Sequence, residues 1–178
     1  MTTHLTVLDP TEAGAASAGA ALVDPPADLA GVRVGLLDNG KPNSDRFLAL
    51  LGQRFLADDA LLCGSWRKPS IGRLAPPELL AAALADSELI VTGVGDCAGC
   101  CSCSVQDAIA VERSGVPSVV IVTTEFLTTA RISARAAGVP DYPFVVIDHP
   151  LGSLSRALLA ERADLAMEQI HSRLATGR

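Results

Sequence analysis

The chain has 178 residues, of which 49% are hydrophobic but only 3% aromatic, and carries a formal charge of −6. That length fits one globular domain with a core of small aliphatic side chains. The acidic balance and the lack of any Lys/Arg run argue against nucleic acid and anionic membrane as partners.

In chain order, residues 1–29 read as an N-terminal arm or linker and residues 30–178 as a single α/β domain. The arm has no basic region followed by an apolar core, so it does not read as a signal peptide. It is rich in Ala, Gly, Pro and Asp from Ala13 to Leu29, with a turn at Pro25-Pro26. Leu5-Thr6-Val7-Leu8 is either a short edge strand or a strand donated to a partner. No apolar run approaches the roughly 20 residues that span a bilayer. The expected location is the reducing cytoplasm. There, four cysteines within seven residues point to catalysis or metal binding rather than to a disulfide framework.

From Val32 onward, β-rich runs alternate with helical patterns. Strands are expected at Val32–Leu37, Ala60–Cys63, Leu89–Val94, Ser118–Val122 and Phe144–Ile147. Helices are expected at Ser44–Leu56, Pro77–Leu84, Ser104–Ser114, Leu127–Ala137 and Ser155–Leu174. Ser44 or Asp45 can cap the first helix, Pro77 suits a first turn, and Gly115 and Gly138 can end helices ahead of Pro117 and Pro140. Apolar strands joined by helices predict a five-stranded, mostly parallel, doubly wound sheet of flavodoxin or Rossmann type, with helices on both faces.

In such sheets, ligands bind outside the carboxyl ends of the strands. The loops expected there carry the unusual residues: Asp38 to Asp45, Trp66 to Pro69, Asp96 to Cys103, Thr123 to Phe126 and Asp148 to Ser153. One shared site at that edge is the expectation. At its centre, Gly95 and Gly99 are read as letting the chain leave a strand and turn sharply into a helix beginning near Ser102. Cys97 and Cys100 are then exposed at a helix N-terminus, where N–H groups and the helix dipole favour thiolate. Cys97 is the expected attacking sulfur and Cys100 its resolving partner.

The same cluster is compatible with a metal. Cys97, Cys100 and Cys103 form Cys-x2-Cys-x2-Cys, and with Cys101 they are the candidate ligands for zinc, copper or an iron–sulfur cluster. Cys63 reads as a buried small hydrophobe. His149 is a candidate general acid or base. Lys41, Asn43, Asp45, Arg67, Lys68 and Glu125 are candidates for holding a small-molecule substrate, the cations through a carboxylate or phosphate. Glu125 has an alternative role as an acidic first-turn residue. His4 and His171 read as structural or surface residues. Gly93-Val94-Gly95 lacks the third glycine of a dinucleotide fingerprint and no P-loop is present, so NAD and ATP dependence are not expected.

The string Gly93-Val94-Gly95-Asp96-Cys97-Ala98-Gly99-Cys100, followed by Ser104-Val105-Gln106-Asp107-Ala108, resembles the signature of the UGSC family of (seleno)proteins. Leu8-Asp9-Pro10-Thr11, Leu36 to Asp45, Arg67-Lys68-Pro69, Glu125-Phe126 and His149-Pro150 are similar to further landmarks of that family. The resemblance implies that Cys97 occupies the selenocysteine-equivalent position and Cys100 that of the partner cysteine, a nucleophilic or redox arrangement. A looser similarity to the selenoprotein subunit of glycine reductase implies cleavage of a carbon–heteroatom bond. Ala98-Gly99 depart from the family's Gly-Ser, and Cys101 and Cys103 stand in place of Thr and Trp. Three expectations follow: a cysteine-nucleophile oxidoreductase or lyase, a cysteine-ligated metal enzyme, or a non-catalytic subunit of a larger complex or homo-oligomer.

Overall fold

Residues 22–176 are described by a computed structural model. The candidate strand Leu5–Leu8, the Leu8–Thr11 landmark and His4 lie outside them. The described elements are β1 (Arg33–Asp38), α1 (Ser44–Ala57), β2 (Leu61–Arg67), α2 (Pro77–Asp86), β3 (Leu89–Gly95), α3 (Ala98–Arg113), β4 (Ser118–Thr123), a 3-10 turn (Thr124–Phe126), α4 (Leu127–Ala136), β5 (Phe144–Ile147) and α5 (Arg156–Thr176). The five strands form one sheet in the order β2-β1-β3-β4-β5, and every pairing is parallel.

The two-residue period of the strands sorts the core. Val34, Leu36, Leu89, Val91, Val119, Ile121, Val145 and Ile147 face the layer containing Phe47, Leu51 and Phe55 of α1 and Leu159, Met167 and Ile170 of α5. Their neighbours in sequence face the other way. Val120 and Val122 pack with Val105, Ile109, Ala130 and Ala134 of α3 and α4. Leu37 and Ile90 pack with Ala83 of α2 and Val111 of α3. Continuous apolar strands are thereby buried on both faces, as parallel crossovers require. Residues 22–29 are laid against this body: Leu29 joins the core, and the Val23 amide donates to Glu112 Oε2 at 2.7 Å.

Gly115 and Gly138 follow the ends of α3 and α4 with φ of 87° and 82°, the backbone expected of helix-ending glycines. Pro77 lies in the first turn of α2, also as expected. Two expectations need correction. Neither Ser44 nor Asp45 caps α1; the cap position is Asn43, at φ 66° and without a side-chain capping bond, because the Ser44 hydroxyl is committed to Asp38 and to the Lys41 carbonyl. And β2 runs to Arg67 rather than stopping at Cys63, since pairing with β1 continues past a register shift through Gly64, Ser65 and Trp66.

The order β2-β1-β3 places a topological switch point between β1 and β3. The chain leaves β1 toward one edge and β3 toward the other, opening a crevice at their carboxyl ends. Among the described residues, no helix is long and apolar enough to cross a membrane.

Candidate functional site

At the switch point β3 does not end smoothly. Its pairing with β4 shifts register between Thr92 and Gly95, Gly93 has φ 154°, and the Gly93–Val94 peptide is cis. A Cβ on Gly93 would lie 2.9 Å from the Ile121 carbonyl oxygen. The Val94 carbonyl that this bulge turns out of the sheet accepts from Asn39 Nδ2 (2.9 Å) and from the Asp96 amide (3.0 Å). Asn39 is itself buried and also donates to Ser104 Oγ at 3.0 Å. A side chain of the β1 loop therefore clamps the end of β3 to α3.

The glycines of the cysteine loop work differently from the expectation. Gly95 and Gly99 are absent from the positive-φ positions, so neither is there for a conformation closed to other residues. Gly95 is required for close approach: a Cβ there would stand 3.0 Å from Val122 Cγ1 and 3.2 Å from Cys101 Cα. Gly99 faces open space. The helix also starts earlier than Ser102 or Ser104, at Ala98, because Cys97 caps it. Cys97 has extended backbone, its sulfur accepts the Cys100 amide at 3.4 Å, and its carbonyl accepts the Cys101 amide at 2.9 Å.

This early start gives the four thiols different surroundings. Cys97, Cys100 and Cys101 stand at i, i+3 and i+4, on one side of the first turn, and what distinguishes them is burial. Cys97 is half-buried at the mouth. Cys100, expected to be exposed, is buried, and its thiol donates to the Cys97 carbonyl (3.3 Å) and toward the Val94 carbonyl (3.6 Å). Burial, with the hydrogen bond and charge of Cys97, pushes its pKa up to about 12. The expectation of a thiolate at Cys100 near neutral pH is thus corrected by desolvation. Cys101 is buried on the α4 side with its thiol on the Phe126 carbonyl (3.5 Å), and burial raises it to about 12 as well. Cys103 is half-buried in the field of Lys68 and Asp107, its pKa raised by burial. Among the described residues, no three His, Cys, Asp or Glu side chains are grouped to hold a metal ion.

Side chains from three other loops converge instead on Asp96, the residue before Cys97. The Asp96 side chain is only 3% exposed. Asp96 Oδ1 lies 2.7 Å from His149 Nδ1 and accepts the Leu151 amide at 3.2 Å. Lys41 Nζ stands 3.5 Å from Asp96 Oδ2 and donates to the Asp96 carbonyl at 3.2 Å. His149 Nδ1 is also 3.2 Å from Thr123 Oγ1, the His149 amide donates to Thr124 Oγ1, and Phe126 sits edge-on to the ring at 5.6 Å. The His149–Pro150 peptide is cis. Of the residues expected to act, Cys97, Cys100, Lys41 and His149 are thus gathered at one place.

The other expected substrate residues are engaged in building it. Asn43 Nδ2 donates to the carbonyls of Leu151 and Leu154, both at 3.1 Å, tying the start of α1 to the loop after β5. Arg67, exposed at the end of β2, pairs with Asp38 (3.2 Å) and Asp45 (3.8 Å). Lys68 is fully buried against Asp107 of α3, away from solvent. Glu125 is exposed in the 3-10 turn. Cys63 is half-buried rather than buried, its sulfur 3.3 Å from Ser87 Oγ. His171 is a surface partner of Asp58 at 2.8 Å.

Asp96, Thr123, Asn39 and Asp107 do not stand out as site residues in the sequence. For Asp96 a signal is present, a carboxylate directly before the candidate nucleophile; the others meet partners 26 to 65 residues away, which follow only from folding. An apolar cavity of about 420 Å³, lined by Leu22, Leu89, Val119, Ile170 and Leu174 with Glu112 at its wall, lies at the amino-terminal edge of the sheet. The reactive groups gather at the opposite edge, so that cavity is separate from them.

The sequence model of the UGSC family matches residues 6–176, nearly the whole chain, and the chain belongs to that family. No curated protein matches it significantly.

Proposed function

For this member of the UGSC family we propose a thiol-dependent enzyme, in which Cys97 is the nucleophile and Cys100 its resolving partner in the reductive cleavage of a carbon–heteroatom bond of a small molecule. The observation that carries the reading is the asymmetry of the pair. Cys97 sits half-exposed as the N-cap of α3, facing the positive end of the helix dipole, whereas Cys100 is buried one turn on with its thiol held on backbone carbonyls. A two-thiol cycle needs one sulfur that meets substrate and another that waits behind it.

In the first step Cys97 Sγ bonds to carbon as the carbon–heteroatom bond breaks. The heteroatom leaves with the electron pair and takes the proton that His149 Nε2 has received from the Cys97 thiol. In the second, Cys100 attacks Cys97 Sγ, the sulfur–carbon bond breaks, and carbon departs with the electron pair and a proton. The substrate gains two electrons, the cysteines become a disulfide, and an external dithiol reductant restores them.

Limiting iodoacetamide tests the nucleophile. In the folded protein near neutral pH, Cys97 labels faster than an exposed cysteine of an unstructured peptide, and C97S loses that fast phase. Labelling no faster than the peptide defeats the reading.

A further inference from the structure

We propose that Asp96 is a positioning residue that holds His149 as its Nδ1–H form and so presents Nε2, unprotonated, as the proton-transfer atom of the site. The inference rests on the thiol-dependent reading for the use of that atom, but its geometry is independent of it.

Counting donors and acceptors around Nδ1 assigns the proton. Thr123 Oγ1 has a single hydrogen, and it donates that hydrogen to the Gly95 carbonyl at 3.2 Å. Toward His149 Nδ1, 3.2 Å away, the hydroxyl can therefore only accept. Asp96 Oδ1, at 2.7 Å, receives the Leu151 amide, and Oδ2 faces the Lys41 ammonium, surroundings that select the acceptor-only carboxylate. Among the described residues, two acceptors converge on Nδ1 and no donor does. The nitrogen that meets them must carry the hydrogen, and the neutral ring then has its lone pair on Nε2.

The same contacts fix which side of the ring is available. Nδ1 is turned inward onto Asp96 and Thr123, whose side chains are buried, while the His149 side chain as a whole is 32% exposed. The accessible edge is the one bearing Nε2. Phe126 packs edge-on against the ring. When Nε2 gains a proton the ring becomes a cation, and its Nδ1–H bond to Asp96 becomes a charge-assisted pair. When Nε2 gives the proton to a leaving group, the same bond returns the ring to the form it started from. Asp96 thus touches no substrate and acts through His149, and its adjacency to Cys97 places the proton-transfer atom and the nucleophile on one frame.

Long-range ¹H–¹⁵N correlation spectra of the full-length, ¹⁵N-labelled chain at mildly alkaline pH read the tautomer directly. The chain has three histidines, so H4Q and H171Q identify the His149 ring. Wild type is expected to show a protonated Nδ1 and a bare Nε2, the reverse of free histidine. T123V is expected to keep that pattern, since Asp96 alone holds the proton, and D96A to relax toward Nε2–H. A wild-type ring protonated at Nε2 overturns the proposal, as does a D96A ring with an unchanged pattern. If D96A does not fold, T123V still decides: loss of the Nδ1–H pattern there transfers control to Thr123 and overturns the role of Asp96. Ordinary reactivity of Cys97 alongside an Nδ1–H ring defeats the thiol reading alone.

Discussion

Replacing Asp107 by asparagine tests what holds the cysteine helix in place. Lys68 Nζ has no exposed surface and faces Asp107 Oδ2, while Asp107 Oδ1 accepts the Ala75 amide at 2.8 Å. Asparagine preserves shape and can keep the Ala75 bond, but it leaves a buried ammonium without its countercharge. Breaking a buried pair from one side typically costs about 3–5 kcal/mol, because the remaining charge has neither water nor partner. For a chain of this length, each kcal/mol lowers the melting temperature by roughly 2–4 °C, so D107N is expected to melt about 6–20 °C lower. Replacing both partners, K68M with D107L, removes the desolvated charges together and is expected to recover most of that loss. Urea titrations followed by far-UV circular dichroism give both free energies. A D107N protein within about 1 kcal/mol of the parent would show that the pair behaves like a surface ion pair and that Lys68 is not a structural residue.

Two further outcomes follow from the buried thiols. Cys100 and Cys101 titrate near 12 in the fold against 9.0 ordinarily, so between these values the unfolded chain binds fewer protons than the folded one and stability falls as pH rises. The loss approaches about 1.4 kcal/mol per pH unit for each thiol, and denaturant midpoints measured across that range should fall less steeply in C101A than in the parent. Burial likewise holds Cys100 as the thiol at neutral pH. Peptide mapping after native iodoacetamide treatment should find Cys100 unmodified while Cys97 is labelled; comparable labelling of both would contradict the burial of Cys100.

Cys97 and Cys100 are legible as a pair in the sequence alone, because glycine-framed cysteines between an apolar strand and a helical pattern leave little else to explain them. The helix onset is where propensity misleads. Gly99 and the polar Ser102 favour a later start, whereas capping by Cys97 and packing of Cys101 in the cluster with Val122 and Phe126 draw the first turn into the body. That shift of a few residues buries Cys100 and Cys101. Lys68 is a similar case. A lysine after a strand reads as solvent-facing, and only the docking of α3 against the loop after β2 reveals its partner, 39 residues away.

Local sequence determined the elements and, through them, the fold. Period-two and helical spacing decide which residues are buried, and parallel strands joined by helices have few topologies open to them. The sequence also determined that the cysteine loop, Lys41 and His149 would collect at the carboxyl edge, since that is where the loops after parallel strands must lie. Tertiary structure alone decided the partners. Asp96 meets His149 from the far side of two strands and two helices, and Asn39 meets Ser104 across 65 positions, because β1, β3, β4 and β5 end side by side along the carboxyl edge of the sheet. Protonation and exposure belong to that level as well. They depend on which groups surround a side chain in space, and neighbours in space are what a linear sequence does not display.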